Sequence, residues 1–340
     1  MVKMKTKYIK IGKTFIGSPK RCFIIAEAGS NHNGDFRTAK RLIDAAKKSG
    51  ADAVKFQLFK AEELTVMKNL YGVLRKCEFE RSWLRKLVRY AEKRGIVFFA
   101  TPFDRVAVDL LYEAGVTVFK VASSDLTNTP LLKSIAAKKK PVIMSVGLAN
   151  LKEIDKAVNI ILDKGAPSLS LLHCVVEYPA RINGLNLRAI PFLVQRFGLP
   201  VGFSDHTMDT VIPSIAVSLG ACIVEKHFTL SRKMKGPDHA FALEPEEFAG
   251  MVKNIRKAEL SLGLPAKKLS RHERSITKIV RRGIYSRTHI PGGALLEDSL
   301  LTVLRPQKGV SSSDYDKVIG KRVKKDIKPF KPLRWKDIER

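Results

Sequence analysis

Along most of the chain, short runs of β-branched and aromatic residues alternate with longer stretches whose apolar positions recur every three or four residues. The short runs occupy residues 23–26, 53–56, 97–100, 118–121, 142–144, 169–172, 200–203 and 222–224. The periodic stretches occupy residues 37–48, 81–94, 106–114, 131–137, 152–163, 187–196, 210–218 and 245–262. The first pattern predicts buried strands and the second amphipathic helices. Glycine marks the joints: Gly50, Gly95, Gly115, Gly165, Gly198 and Gly220 each fall between a helix pattern and the next strand, where a left-handed residue closes a helix. Eight strand–helix repeats within about 240 residues predict a (β/α)8 TIM barrel rather than a doubly wound sheet. Ahead of them, residues 8–11 and 14–16 flank Gly12-Lys13 and read as a β-hairpin. Beyond the last helix, residues 267–283 read as a basic linker and residues 284–340 as a small β-rich, turn-rich module. The expected catalytic domain is therefore the hairpin plus barrel, residues 1–266.

A barrel of this kind carries its reactive side chains where strands end and loops begin. Polar residues stand there in every repeat. Strand one ends at Glu27 ahead of Asn31-His32-Asn33-Gly34, strand two carries Lys55 and Gln57, and strand three ends in Thr101-Pro102. Strand four is bracketed by Lys120, Ser123 and Asp125, strand five ends in Ser145 before Gly147, and strand six ends in His173. The last two strands supply Ser204, Asp205, His206, Glu225 and His227. Taken singly, such hydroxyls also cap helices, and a lone histidine packs in a core more often than it ligates. Two combinations say more. Lys55 and Lys120 sit inside the apolar runs Val54-Lys55-Phe56 and Phe119-Lys120-Val121, and a buried ammonium needs an anion. A ligand with phosphate and carboxylate groups satisfies both lysines, with serines and helix-start N–H groups completing the phosphate site. His206 and His227 end consecutive strands, so if both ends reach one rim they can share a divalent metal.

Charge and cysteine content adjust this reading only slightly. The net charge of +29 invites a nucleic-acid partner. Yet the basic residues are spread in short runs such as 138–140 and 321–325, with no long basic arm, zinc-finger spacing or aromatic-interleaved strand motif. Nucleic acid is not the expected partner; solvated helix faces and attraction of anionic substrates are. Cys22, Cys77, Cys174 and Cys222 are far apart without CxxC spacing, which suits a reducing cytoplasm. Residues 1–7 are basic without a signal-type apolar segment after them, and the apolar stretch 211–224 is too short to span a bilayer. A cytoplasmic protein without membrane contact is expected.

Seven motifs together resemble the sialic acid synthase family, which comprises N-acetylneuraminate, legionaminate and pseudaminate synthases. They are Phe23-Ile-Ile-Ala-Glu-Ala-Gly-Ser-Asn-His-Asn-Gly34, Val54-Lys-Phe-Gln57, Ala100-Thr-Pro-Phe103, Phe119-Lys-Val-Ala-Ser123, Gly202-Phe-Ser-Asp-His-Thr207, Glu225-Lys-His-Phe-Thr229 and Gly236-Pro-Asp-His239. The tail resembles that family's C-terminal antifreeze-like (SAF, β-clip) domain through Tyr285-Ser286, Ile290-Pro-Gly-Gly293, Leu301-Thr-Val-Leu-Arg-Pro306 and Ile319-Gly-Lys321.

The resemblance implies a metal-dependent transferase condensing phosphoenolpyruvate with an N-acylated amino-hexose, N-acetylmannosamine or a 2,4-diacetamido-6-deoxyhexose. The products are a nine-carbon 2-keto acid and phosphate. It implies a divalent metal, Mn2+ or Mg2+, on His206 and His227, with Glu27 handling the attacking water. Lys55 and Thr101 are implied for the phosphoenolpyruvate carboxylate, and Lys120, Ser123, Ser145 and Ser204 for its phosphate. Gln57, Asp125, Tyr178 and Asp238 are implied for the sugar. Arg305 is implied for the acyl group, reaching from the SAF domain of a partner in a domain-swapped homodimer. Three positions depart from the family pattern: Val176 stands where relatives carry a polar residue, Asp125 where Glu is common, and Gln307-Lys308 intervene after Arg305-Pro306 where relatives have Gly. Other readings are a condensing barrel for a phosphorylated sugar, a non-enzymatic polyanion- or polysaccharide-binding module, and a barrel retained as a scaffold.

Overall fold

A computed structural model describes residues 8–17 and 21–339; the basic stretch 1–7 lies outside the described residues. Two short strands, β1 (Ile9–Ile11) and β2 (Thr14–Ile16), pair antiparallel across Gly12-Lys13 as the expected hairpin. The repeats follow: β3 (Phe23–Gly29), α1 (Phe36–Lys48), β4 (Ala53–Leu58), α2 (Ala61–Leu64), α3 (Lys68–Lys76), α4 (Leu84–Lys93), β5 (Val97–Pro102), α5 (Arg105–Glu113), β6 (Phe119–Val121), α6 (Thr129–Ala137) and β7 (Val142–Ser145). Next come α7 (Leu151–Asp163), β8 (Leu169–Cys174), α8 (Ala189–Phe197), β9 (Val201–Asp205), α9 (Ile212–Ser218), β10 (Ile223–His227) and α10 (Pro245–Leu262). The eight parallel strands run in the order β5-β4-β3-β10-β9-β8-β7-β6. Because β5 and β6, at the two ends of that order, lie side by side, the sheet curls into a nearly closed TIM barrel.

Residue parity explains the barrel's layers, since successive strand residues face opposite sides. One parity, including Ile24, Val54, Phe98, Phe119, Val142, Leu171, Val201 and Val224, packs against the apolar faces of the helices. The other parity fills the interior: Phe23, Ile25, Ala53, Phe99, Val118, Ile143, Leu172 and Ile223 join Ile9, Ile11 and Ile16 of the hairpin in a separate core. The hairpin thus plugs the N-terminal end. Several helices start on side-chain caps, Asp35 for α1, Asp104 for α5, Asn128 for α6 and a full capping box of Asn150 and Glu153 for α7. The six glycines expected to close helices all have positive φ.

The structure corrects the expected elements in four places. Strands β3, β4, β5, β8, β9 and β10 run further than their apolar runs, because inward polar residues continue the ladders instead of ending them. Helices α2 (Ala61–Leu64) and α3 (Lys68–Lys76) occupy a stretch where no element was expected; α3 carries an apolar stripe of Leu70, Val73 and Leu74 but buries none of its residues. The stretch 267–283, expected as a linker, carries α11 (Arg271–Val280), started by a capping box of Ser270 and Glu273. Residues 81–83 form a single 3-10 turn rather than the first turn of α4.

The chain divides into two compact units, Met1–Gly263 and Leu264–Arg340. In the second, β11 (Gly283–Ser286) pairs antiparallel with β12 (Leu301–Leu304). Its core gathers residues from turns as well as strands, among them Ile290, Leu296, Val310, Val323 and Leu333. All four cysteines are buried free thiols. Among the described residues, no helix is long and apolar enough to cross a membrane.

Ile11 is fully buried where hairpin meets barrel interior. Ile11→Ala is expected to cost roughly 2–5 kcal/mol, as for other large-to-small core changes. Urea unfolding checks this, and an unmoved midpoint would mean that the hairpin does not contribute to the barrel core.

Candidate functional site

Above the apolar interior, the same inward parity turns polar. The residues in question are Glu27 on β3, Lys55 and Gln57 on β4, Thr101 on β5, Lys120 on β6, Ser145 on β7, Ser204 on β9, and Glu225 and His227 on β10. With Ser123, Tyr178, His206 and Asp238 from the following loops, they line a cavity of about 450 Å³ at the strands' C-terminal ends. Of the barrel residues to which the resemblance assigned a role, all except Asp125 are therefore brought together.

The two lysines organise the cavity floor. Lys55 Nζ lies 2.8 Å from Glu27 Oε2 and donates to Thr101 Oγ1 at 3.1 Å. Lys120 Nζ donates to Ser145 Oγ at 2.8 Å and to the Val121 carbonyl at 3.2 Å. Between them stands Glu225, with one oxygen 3.6 Å from each lysine, also accepting from Ser204 Oγ at 3.1 Å. Burial weakens each charge, and the neighbours decide the outcome. Burial pulls Lys55 down, but Glu225 and Glu27 outweigh it, so its ammonium is held above the usual range. For Lys120 burial prevails over Glu225 and the ammonium is pulled down. Burial pushes Glu225 up, but Lys120 and Lys55 hold the carboxylate below its ordinary range. Glu27 moves the other way: burial, with Glu225 adding to it, pushes it up to about 7 against the pull of Lys55.

Beside the lysines, Gly147 donates its N–H to Ser123 Oγ at 3.1 Å. A Cβ there would stand 2.8 Å from that oxygen and 2.9 Å from Val176 Cγ2, so only glycine lets the β7 loop approach so closely. Val176, the departure from the family pattern, presents hydrocarbon to the cavity.

His206 and His227 meet at the ends of β9 and β10, His227 in register with Glu27, their rings 5.4 Å apart between centroids. His206 donates Nδ1–H to the Val175 carbonyl at 2.7 Å, which leaves the Nε2 lone pair free. His227 Nδ1 is buried without a hydrogen-bond partner. Burial lowers His206 to about 4 and, with the nearby positive groups, His227 well below its ordinary value, so both imidazoles are neutral at neutral pH. Among the described residues, no group of three or more His, Cys, Asp or Glu side chains converges as a metal cage. Two neutral imidazoles, one with an orphaned nitrogen, fit a divalent ion whose other positions belong to water or ligand oxygen. Tyr178 stacks on His206, with 4.1 Å between centroids.

The mouth of the cavity carries Gln57 and Asp238. Gln57 Nε2 donates to Glu27 Oε1 at 3.0 Å. Gly29, with φ +50°, leaves the room they use: a Cβ there would stand 2.7 Å from Asp238 Oδ2 and 3.5 Å from Glu27 Oε1. Asp125 lies outside the lining; its carboxylate accepts from Asn128 Nδ2 and Ser124 Oγ, both at 3.1 Å. Arg305 is exposed on the second unit, directly after β12.

Polar residues of the other parity face the helices. His173 Nε2 donates to the Leu185 carbonyl at 2.7 Å, and Lys226 pairs with Asp205 at 2.6 Å, both side chains fully buried. Glu225, Gly29 and Gly147 are the site residues that residue-type reasoning left without a role. Parity with His227 and Ile223 was the available signal for Glu225.

The NeuB family model matches residues 42–267, and the SAF domain model matches residues 281–339. The N,N'-diacetyllegionaminic acid synthase of Legionella pneumophila is 41% identical over 342 residues, spanning 95% of this chain and 96% of its own. The N-acetylneuraminate-9-phosphate synthase of Homo sapiens is 36% identical, spanning 91% of this chain and 90% of its own. Among solved structures, an N-acetylneuraminic acid synthetase from Leptospira borgpetersenii in complex with citrate is 37% identical with a TM-score of 0.75, covering 79% of this chain and 94% of that one.

A pH dependence follows from the buried histidines. His32, in the loop after β3 and ringed by Phe56, Phe79 and Trp83, is lowered by burial to about 4 from 6.5. Between those values the unfolded chain holds the extra proton, so this group's effect on stability worsens as pH falls from 6.5 towards 4. Replacing His32→Phe is expected to flatten the decline of the melting temperature over that window, against the parent at each pH. Parallel curves would overturn it.

Proposed function

The chain belongs to the NeuB family, and from that premise we propose that it condenses phosphoenolpyruvate with an N-acylated amino-hexose, giving a nonulosonic acid and phosphate. The observation that carries this reading is the pair of buried lysines, Lys55 and Lys120, which share one carboxylate at 3.6 Å beside the hydroxyls of Thr101, Ser145 and Ser204. A small anion carrying both carboxylate and phosphate suits that set of donors.

In this reading Lys55 and Thr101 hold the carboxylate, while Lys120, Ser123, Ser145 and Ser204 hold the phosphate. Gln57, Tyr178 and Asp238 orient the sugar so that its aldehyde carbon faces the enol carbon. His206 and His227 hold Mn2+ or Mg2+, which when bound supplies Lewis-acid polarisation at the aldehyde oxygen. The enol π pair forms the new C–C bond, and C2 becomes oxocarbenium-like. Glu27, poised near neutrality, takes a proton from the water that adds to C2, and that proton is returned to the former aldehyde oxygen, which ends as a hydroxyl. The resulting tetrahedral carbon expels phosphate with cleavage of its C–O bond, leaving the 2-keto acid. Lys120 stays beside the departing charge, where its buried ammonium acts most strongly.

Phosphate release is the assay, run with N-acetylmannosamine, 2,4-diacetamido-6-deoxy-mannose and the 6-deoxy-altrose analogue, each with and without a sugar phosphate. Lys120→Ala is expected to raise the phosphoenolpyruvate KM by roughly two to three orders of magnitude, the scale for stranding a buried charge. His227→Ala, or thorough chelation of the parent, is expected to abolish turnover while leaving the fold intact. Full activity after chelation removes the metal from the reading, and no phosphate release with any sugar removes the reaction itself.

The SAF domain is proposed to close a partner's barrel in a homodimer, with Arg305 donating to the sugar's acyl group. Arg305→Ala is then expected to raise the sugar KM and spare that of phosphoenolpyruvate. Mixed dimers of Arg305→Ala and Lys120→Ala chains are expected to recover activity, since one barrel in such a dimer has both parts intact. No recovery in confirmed mixed dimers overturns the arrangement in trans.

A further inference from the structure

We infer that His239 is a positioning residue that sets Asp238 at the cavity mouth and thereby controls how the sugar, but not phosphoenolpyruvate, is bound. The inference rests on the proposed role of Asp238 as a sugar-binding group. His239 is buried and reaches two different segments. Its Nδ1 lies 2.6 Å from Thr229 Oγ1, just beyond β10, and its Nε2 lies 3.1 Å from Asn33 Oδ1, in the loop after β3. Asn33 Oδ1 only accepts, so Nε2 carries the proton and Nδ1 accepts from the threonine hydroxyl. Both ring nitrogens are thus committed, and the ring fastens the loop before α10 to the start of the barrel.

Asp238 is the next residue back along that loop. Its carboxylate is carried to within 2.7 Å of where a Cβ of Gly29 would stand, close to Glu27 and Gln57. Packing enforces the same closure from the other side. A Cβ at Gly236 would meet His239 Cδ2 at 2.7 Å and Asn33 Oδ1 at 2.8 Å, so the turn fits around the ring only without a side chain. Among the described residues, His239, Thr229 and Asn33 make no hydrogen bond or ion pair with Lys55 or Lys120, which is why loss of the latch should be felt chiefly at one substrate.

The test uses the full chain with whichever sugar supports turnover. His239→Phe, which fills the space without either hydrogen bond, is expected to raise the sugar KM about tenfold and to leave the phosphoenolpyruvate KM within about twofold. Gly236→Ala deletes no polar group and is expected to move the sugar KM in the same direction, so it carries the test if His239→Phe fails to fold. His239→Gln, which keeps the reach to Asn33, is expected to recover part of the loss. A merely structural role is separated by coupling: on an Asp238→Ala background, His239→Phe should change the sugar KM by less than about threefold. Additive effects, equal losses for both substrates, or parent sugar KM in folded His239→Phe and Gly236→Ala overturn the latch. An Asp238→Ala chain with parent sugar KM instead overturns the role of Asp238 on which the latch rests.

Discussion

Two ammonium groups held inside a barrel constrain everything around them. Lys55 and Lys120 are almost wholly buried, and taking an unpaired charge out of water is expensive. The protein answers with Glu225 between them, Glu27 beside one and hydroxyls from three further strands. Several of these contacts are loose enough to be exchanged for a ligand's oxygens. A floor that stable core packing alone would have filled with valine and isoleucine instead keeps directed donors in a cavity.

Such a floor stays open only if the rest of the barrel is rigid. Below it, the hairpin isoleucines and the lower inward residues form an apolar plug. Behind it, the Lys226–Asp205 pair ties β10 to β9 on the outer face. The Lys226 ammonium also donates to Thr207 Oγ1 at 3.1 Å and to the Asp209 carbonyl at 3.2 Å, pinning the turn after β9. Each member of that pair sits next to a histidine of the cavity wall. The outward charges therefore hold the backbone from which the inward ones project.

The loops at the mouth are anchored by buried polar contacts as well as by aromatic packing around His32 and Tyr178. Asn31 donates to the Phe228 carbonyl at 3.0 Å, and His239 joins Asn33 to Thr229. Three glycines, Gly29, Gly147 and Gly236, stand where any side chain would collide with a polar group of the site or its supports. Close approach, more than flexibility, is what these positions require.

Much of this was legible in the residues themselves. The alternation of strand and helix patterns, with glycine at six helix ends, determined the eightfold repeat, because local periodicity and helix closure are short-range properties. Lysines embedded in apolar runs required anionic partners, since burial of a charge is costly wherever the chain folds, and Glu225 and Glu27 stand beside them. The motifs determined the family. What the sequence left open was which polar residue at each strand end faces inward. Asp205 and His206 are neighbours, as are Glu225 and Lys226, yet one of each pair serves the cavity and the other the helix side. Strand register and barrel closure decide that, through contacts between residues far apart in the chain. The same is true of Asp125, whose carboxylate is taken by Asn128 and Ser124. Local chemistry fixed the parts; only tertiary pairing assigned each its side.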